Sequence, residues 1–270
     1  MMTIIATTDF SEIAQNAVQY AANLAKAANM NLVLFHAFNP PIHASNAQLS
    51  AETFQKLFDI NSERLKELAK ELKKEHHIET QSEITYSFVE EHLVTCIEKY
   101  NAGLLVFGMA EKSLEQELMG NTTTSAIRNI NIPIISVPLE TKFTPLNRVL
   151  FACDTPDEIP SHATSLIKSL IAAQNTEIEV FSVDTTVEKI KKDNPKTKED
   201  DEKEINYYYK NIQSKEVIDE IKKEIKDFNA DLLIMMPKKY GFWDSMVHRS
   251  KTRVMASGLS IPLLSIPASY

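Results

Sequence analysis

The chain has 270 residues, 43% apolar and 24% charged, a composition of water-soluble globular proteins with room for one large domain or two ordinary ones. A formal charge of −8 disfavours nucleic-acid backbones and anionic membranes as partners, and no apolar run reaches the roughly 18 residues a transmembrane helix needs. Cys96 and Cys153 are the two thiols, and "MMTIIATTDF" has no basic stretch and no small-residue cleavage site, which together predict the cytoplasm and no disulfide framework.

In chain order, apolar runs alternate with amphipathic stretches, as β/α units do. "TIIAT" (3–7) reads as a buried strand. Ile13, Ala17, Ala21 and Leu24 then recur at helical spacing, with Val18 and Ala25 beside them. "NLVLFHAF" (31–38) is the second strand and 52–75 a long charged helix. "IETQSEITY" (78–86) mixes polar residues into an edge-like strand, and Val89, Leu93 and Ile97 stripe the next helix. "GLLVFG" (103–108) is the fourth strand, 122–130 the fourth helix and "IPIISVP" (132–138) the fifth strand.

The second half replays the series. Strands are predicted at "RVLFACD" (148–154), "EIEVFSVD" (177–184), "EINYYYKNI" (204–212), "ADLLIMMP" (230–237) and "IPLLSIP" (261–267), with a helix over 214–228. Val106–Pro138 lies against Met235–Pro267 without a gap, so that Ile132, Pro133, Ser136 and Pro138 recur as Ile261, Pro262, Ser265 and Pro267, and Thr123 as Thr252. A constant offset across a whole strand–loop–helix–strand unit predicts two copies of one domain, 1–140 and 147–270, joined through "LETKFTPLN" (139–147). The second copy lacks the long helix. In its place "TTVEKIKKDNPKTKEDDEKE" (185–204) predicts a mobile, charged surface segment, the alternative being a short charged helix.

No G-x-G-x-x-G, Walker, G-x-S-x-G or H-E-x-x-H motif is present, and no nucleophile–base pair or metal cluster argues for catalysis. His76 and His77 read as a solvated surface pair, and Tyr207, Tyr208 and Tyr209 as alternating strand residues that pack. In an open parallel sheet, ligands bind beyond the C-terminal strand ends where the winding reverses. With the first strand central, Asp9 and Gly108 end the two strands flanking that reversal, and Gly120 precedes a helix opening with Asn121, Thr122 and Thr123. Glycine there admits a close anion and a helix start offers free N–H groups, so the loop predicts a phosphate site; the alternative is a relieved strand end and an ordinary helix cap.

The stretches "IIATTDFSEIAQNAVQYAANLA" and "GMAEKSLEQELMGNTTT" running into "IPIISVP", with "CDTPDEI" and "IPLLSIP" in the second copy, resemble the universal stress protein family in its tandem two-domain form. That resemblance implies two doubly wound, Rossmann-like α/β domains of strand order 3-2-1-4-5, packed as a pseudo-two-fold pair through their fifth strands. It also implies bound ATP or AMP in some members, through a G-x2-G-x9-G-[ST] motif. Carried over, Gly108 and Gly120 are its first and third glycines, Asp9 the acidic residue after the first strand, and Ala37 the residue whose backbone meets adenine. Glu111 replaces the second glycine, the interval to Gly120 is one residue short, and Asn121 replaces the hydroxyl residue, with Thr122 and Thr123 beside it. Pro237 and Arg249 replace the glycines in the second copy, whose segment 238–252 is basic and hydroxyl-bearing.

The reading is a stress-response protein with an adenine-nucleotide site in its first domain, Mg²⁺ accompanying a polyphosphate, and a binding or signalling role. Its partners are the nucleotide and a protein still to be found, with neither nucleic acid nor membrane, the paired domains standing alone or as a homodimer. A ligand-free interaction scaffold and a nucleotide hydrolase are the alternatives.

Overall fold

The computed structural model describes residues 1–40, 50–86, 88–109, 130–153, 159–171, 176–184, 198–200, 205–214, 216–236 and 259–267. The chain divides into two compact units, with Met1–Gly108 in the first and Asn131–Tyr270 in the second.

In the first unit, β1 (Thr3–Thr7) is central. It pairs in parallel with β2 (Asn31–Ala37) on one side and β4 (Ala102–Met109) on the other, and β3 (Thr80–Thr85) lies outside β2. Ile4, Ile5 and Ala6 are inaccessible to solvent, as a parallel strand covered on both faces requires. Between strands run α1 (Glu12–Ala27), α2 (Ala51–His76) and α3 (Val89–Lys99). Ser11 and Ser50 cap the first two, their hydroxyls accepting from Ala14 N at 3.3 Å and Thr53 N at 3.2 Å. Small side chains let α1 lie close on the sheet: Ala14, Ala17, Ala21, Ala22 and Ala25 are all buried.

α2 buries Leu65, Ala69, Leu72 and His76 in its second half, while Phe54 and Phe58 in its first half meet Phe38 and Tyr86 edge-to-face. The adjacent histidines part company. His76 is buried with Nε2 3.3 Å from Gln19 Oε1, and His77 stops the helix in a left-handed cap at φ 56. The expected solvated pair is therefore corrected to one packed and one exposed ring, because the helix turns its last residue inward. On α3 the third buried position is Cys96, with Ile97 half-buried.

The second unit contains β5 (Ile134–Pro138), β6 (Arg148–Cys153), α4 (Ser161–Leu170), β7 (Glu177–Asp184), β8 (Lys198–Asp200), β9 (Ile205–Gln213), α5 (Val217–Asp227), β10 (Leu232–Met235) and β11 (Leu263–Ser265). Its parallel strands run β9-β7-β6-β10-β11, which within the second half of the chain is the order 3-2-1-4-5. β5 joins this unit antiparallel to β11, with Ile135 opposite Leu264 and Ser136 opposite Leu263, so the two fifth strands are neighbours as the repeat suggests. α4 has no counterpart among the elements predicted above, although Ala163, Leu166, Ile167 and Leu170 carry its buried face. The expectation of a mobile segment over 185–204 is corrected at 198–200, where β8 pairs antiparallel with β9, a strand that would otherwise leave an unpaired edge. The predicted helix 122–130 lies, but for its last residue, outside the described residues.

Candidate functional site

The winding of the first unit reverses at β1, whose two parallel neighbours lead off in opposite directions along the sheet. Thr7 is level with Phe35 and Ala6 with Val106. β1 ends at Thr7 and Asp9 follows two residues later in the turn to α1, while Ala37 closes β2 and Gly108 is the last residue but one of β4. The sheet therefore brings Asp9, Ala37 and Gly108 to one C-terminal edge. Gly120, Asn121, Thr122 and Thr123, with Glu111, lie outside the described residues, as does 238–252.

The turn from β1 into α1 is held by its own polar atoms. Thr8 N–H donates to Phe35 O at 2.9 Å, Thr8 Oγ1 accepts from Phe10 N at 3.0 Å, and Asp9 Oδ1 accepts from Ser11 N at 2.9 Å. Phe10 sits at φ 64, a conformation a bulky residue adopts when its surroundings fix it. Gln15 Nε2 donates to Phe10 O at 2.9 Å, the Phe10 ring lies 4.7 Å from that of His36, and the Arg64 guanidinium stands 4.1 Å above the Phe10 ring. Asp9 remains exposed.

His36 is buried at 5% exposure, and its Nδ1 lies 2.7 Å from the Thr8 carbonyl, so Nδ1 carries a proton and donates it. Burial lowers its pKa, outweighing the hydrogen bond to Thr8 and the Asp9 charge, while Arg64 adds to the lowering. The ring is then neutral and Nε2 is a bare acceptor, with no hydrogen-bond partner among the described residues.

Gly108 has a different explanation from a ligand cradle. A Cβ there would stand 2.5 Å from Ile13 Cγ2 and 2.6 Å from the Ile13 carbonyl oxygen. The missing side chain lets the first turn of α1 dock against the end of β4.

Of the other reactive groups, Cys96 is buried, and burial together with the nearby Glu83 charge pushes its thiol up to about 12, too high for a thiolate nucleophile near neutrality. Among the described residues no group of His, Cys, Asp and Glu could hold a metal ion, and no helix is long and apolar enough to cross a membrane. Sequence reasoning did not link Phe10, His36 and Arg64 to this edge. His36 could have been noticed as a polar residue inside an apolar strand; Arg64 gave no signal, because its place follows only from the path of α2.

A model of the universal stress protein family matches residues 1–138. The fold is similar to the crystal structure of a universal stress protein from Archaeoglobus fulgidus DSM 4304, at a TM-score of 0.70 and 13% identity over 99% of this chain and 96% of that one. It is also similar to a functionally unknown protein from Pseudomonas aeruginosa PAO1, at a TM-score of 0.55 and 11% identity over 98% of this chain and 92% of that one. A candidate universal stress protein from Pseudomonas aeruginosa UCBPP-PA14 is similar at a TM-score of 0.55 and 12% identity, over 98% and 92% of the two chains. Among curated proteins, none matches the sequence significantly.

Proposed function

The chain belongs to the universal stress protein family, and from that premise we propose that its first unit binds an adenine nucleotide at the C-terminal edge of β1, β2 and β4, in a stress-related binding or signalling role in the cytoplasm. The observation that carries this reading is the reversal of winding at β1, between whose parallel neighbours β2 and β4 the exposed Asp9 follows the strand end. The residues there suit the adenosine end. Asp9 is exposed and would accept from ribose hydroxyls, the Ala37 backbone would meet the base, and the rigid turn through Phe10 holds the carboxylate in place without reordering. The phosphates would fall to Gly120, Asn121, Thr122 and Thr123, where the sequence predicts a helix start, with Mg²⁺ offsetting Glu111.

The bound group would supply negative charge and a flat aromatic base. What the chain itself does is orient the sugar, admit the base between strand ends and offer N–H donors. Calorimetric titration with ATP, AMP and adenosine tests the proposal, with chromatography of whatever nucleotide co-purifies. Saturable binding is expected for all three; no heat and no stabilisation by any of them overturns it.

A ligand-free scaffold is the second reading. It is favoured by Gly108, whose lack of a side chain Ile13 already explains, and by the carboxylate at Glu111. Turnover of the nucleotide in the same samples would move the reading to a hydrolase.

A further inference from the structure

Two carboxyl groups meet inside the second unit. Glu179 lies in β7 at 9% exposure and Glu224 on the buried stripe of α5 at 6%, next to the apolar cluster of Phe181, Val217, Ile221 and Ile225. Lys210 of β9 donates to Glu224 Oε2, and its ammonium lies 5.9 Å from the Phe181 ring. Glu179 Oε1 has no hydrogen-bond partner among the described residues.

The registers name what else faces Glu179. Leu150 of β6 and Tyr208 of β9 are level with it, and Glu177, on the same face of β7, is engaged by Arg148 of β6 at 3.1 Å. The remaining charged residues of α5, Asp219, Glu220, Lys222, Lys223, Lys226 and Asp227, are none of them buried. The ammonium of Lys210, on a side chain 44% exposed, therefore confronts two carboxyl groups that are themselves buried. Two carboxylates in one site cannot both ionise cheaply, and a buried carboxylate without a donor is strongly disfavoured. The charges close if Glu179 keeps a proton and donates it to Glu224, whose carboxylate also accepts from Lys210.

We propose that Glu179, Glu224 and Lys210 form a one-proton clamp fastening α5 to β7, so that the second unit tightens as its surroundings acidify and loosens as they turn alkaline. Burial first, then the Glu224 charge and its hydrogen bond, push the Glu179 carboxyl up to about 7 against the opposing pull of Lys210. The unfolded chain would hold that proton only below about pH 4.3. Between those values the native state binds more protons, so stability falls with rising pH. The contribution is complete at acid pH and is lost once pH passes about 7, the reverse of the usual salt-bridged carboxylate. The clamp does not rest on the nucleotide reading, and it would make the family's stress-related role sensitive to acidification.

The test uses the full chain. Side-chain carboxyl carbons are followed by NMR against pH, and amide exchange of α5 is compared with that of β1 as an internal reference. In the wild type one glutamate carboxyl titrates near neutrality, and α5 protection, corrected for intrinsic exchange, falls roughly tenfold or more between about pH 5.5 and 8. Glu179→Gln keeps a donor and removes the proton; its α5 protection should be level across that range, with the neutral titration gone. If that variant does not fold, Lys210→Met should move the neutral titration to higher pH, since the cation opposes protonation. Titration of every glutamate with the exposed ones, an equal fall in wild type and Glu179→Gln, or no upward move in Lys210→Met overturns the clamp.

Discussion

At the scale of single residues, the two glycines of the proposed site make separate predictions, Gly108 through packing and Gly120 through approach of a ligand. Gly108→Ala would force its new carbon into the Ile13 backbone, so a loss of roughly 1–3 kcal/mol is expected in urea unfolding of the first unit. Gly120→Val should abolish nucleotide binding in calorimetry, because a β-branched side chain blocks backbone approach to an anion. Glu111→Gly should tighten ATP by about 1 kcal/mol, roughly fivefold, and leave adenosine nearly unchanged, since the carboxylate opposes only phosphates. Added Mg²⁺ should narrow that difference by bridging carboxylate and phosphate oxygens. Equal affinities of wild type and Glu111→Gly for metal-free ATP would assign the weakness to the shortened loop. Asp9 and Gly108 were legible because they follow apolar runs of strand length. The isolation of His36 Nε2 was not, because it depends on a carbonyl 28 residues away.

At the scale of elements, the periodicity located strands to within one or two residues at β1, β2 and β4, where apolar runs are continuous. It failed where the signal is short or shared. α4 is a ten-residue helix that follows a Pro and has no side-chain cap, and β8 is three charged residues whose only reason to be a strand is the open edge of β9. The stripe on α3 slipped from Ile97 to Cys96, since both positions lie within the same turn and only the packed neighbours choose between them. α2 ends on a histidine in the left-handed region, where glycine carries no penalty. His77→Gly should therefore raise the free energy of unfolding of the first unit by about 0.5–1 kcal/mol, read as an increase in melting temperature. An unchanged or lower melting temperature would mean that the exposed ring makes contacts outweighing its strain.

At the scale of the whole molecule, the repeat is the feature that the fifth strands turn into structure. Leu264 is fully buried opposite Ile135 in the antiparallel pair. Leu264→Asp would place an unpaired charge there and should cost about 3 kcal/mol or more, seen as early urea unfolding of the second unit with the first little changed. The sequence by itself determined the alternation of strands and helices, the duplication and its offset, and which strand ends lead into polar turns, because periodicity and punctuation are local properties of a chain. Tertiary structure alone decided that Arg64 covers the Phe10 ring, that Gly108 answers to Ile13, and that Glu179 and Glu224 share one apolar space. Each of these depends on residues far apart in sequence, whose meeting is set by the order and register of parallel strands and by the helices those strands leave room for.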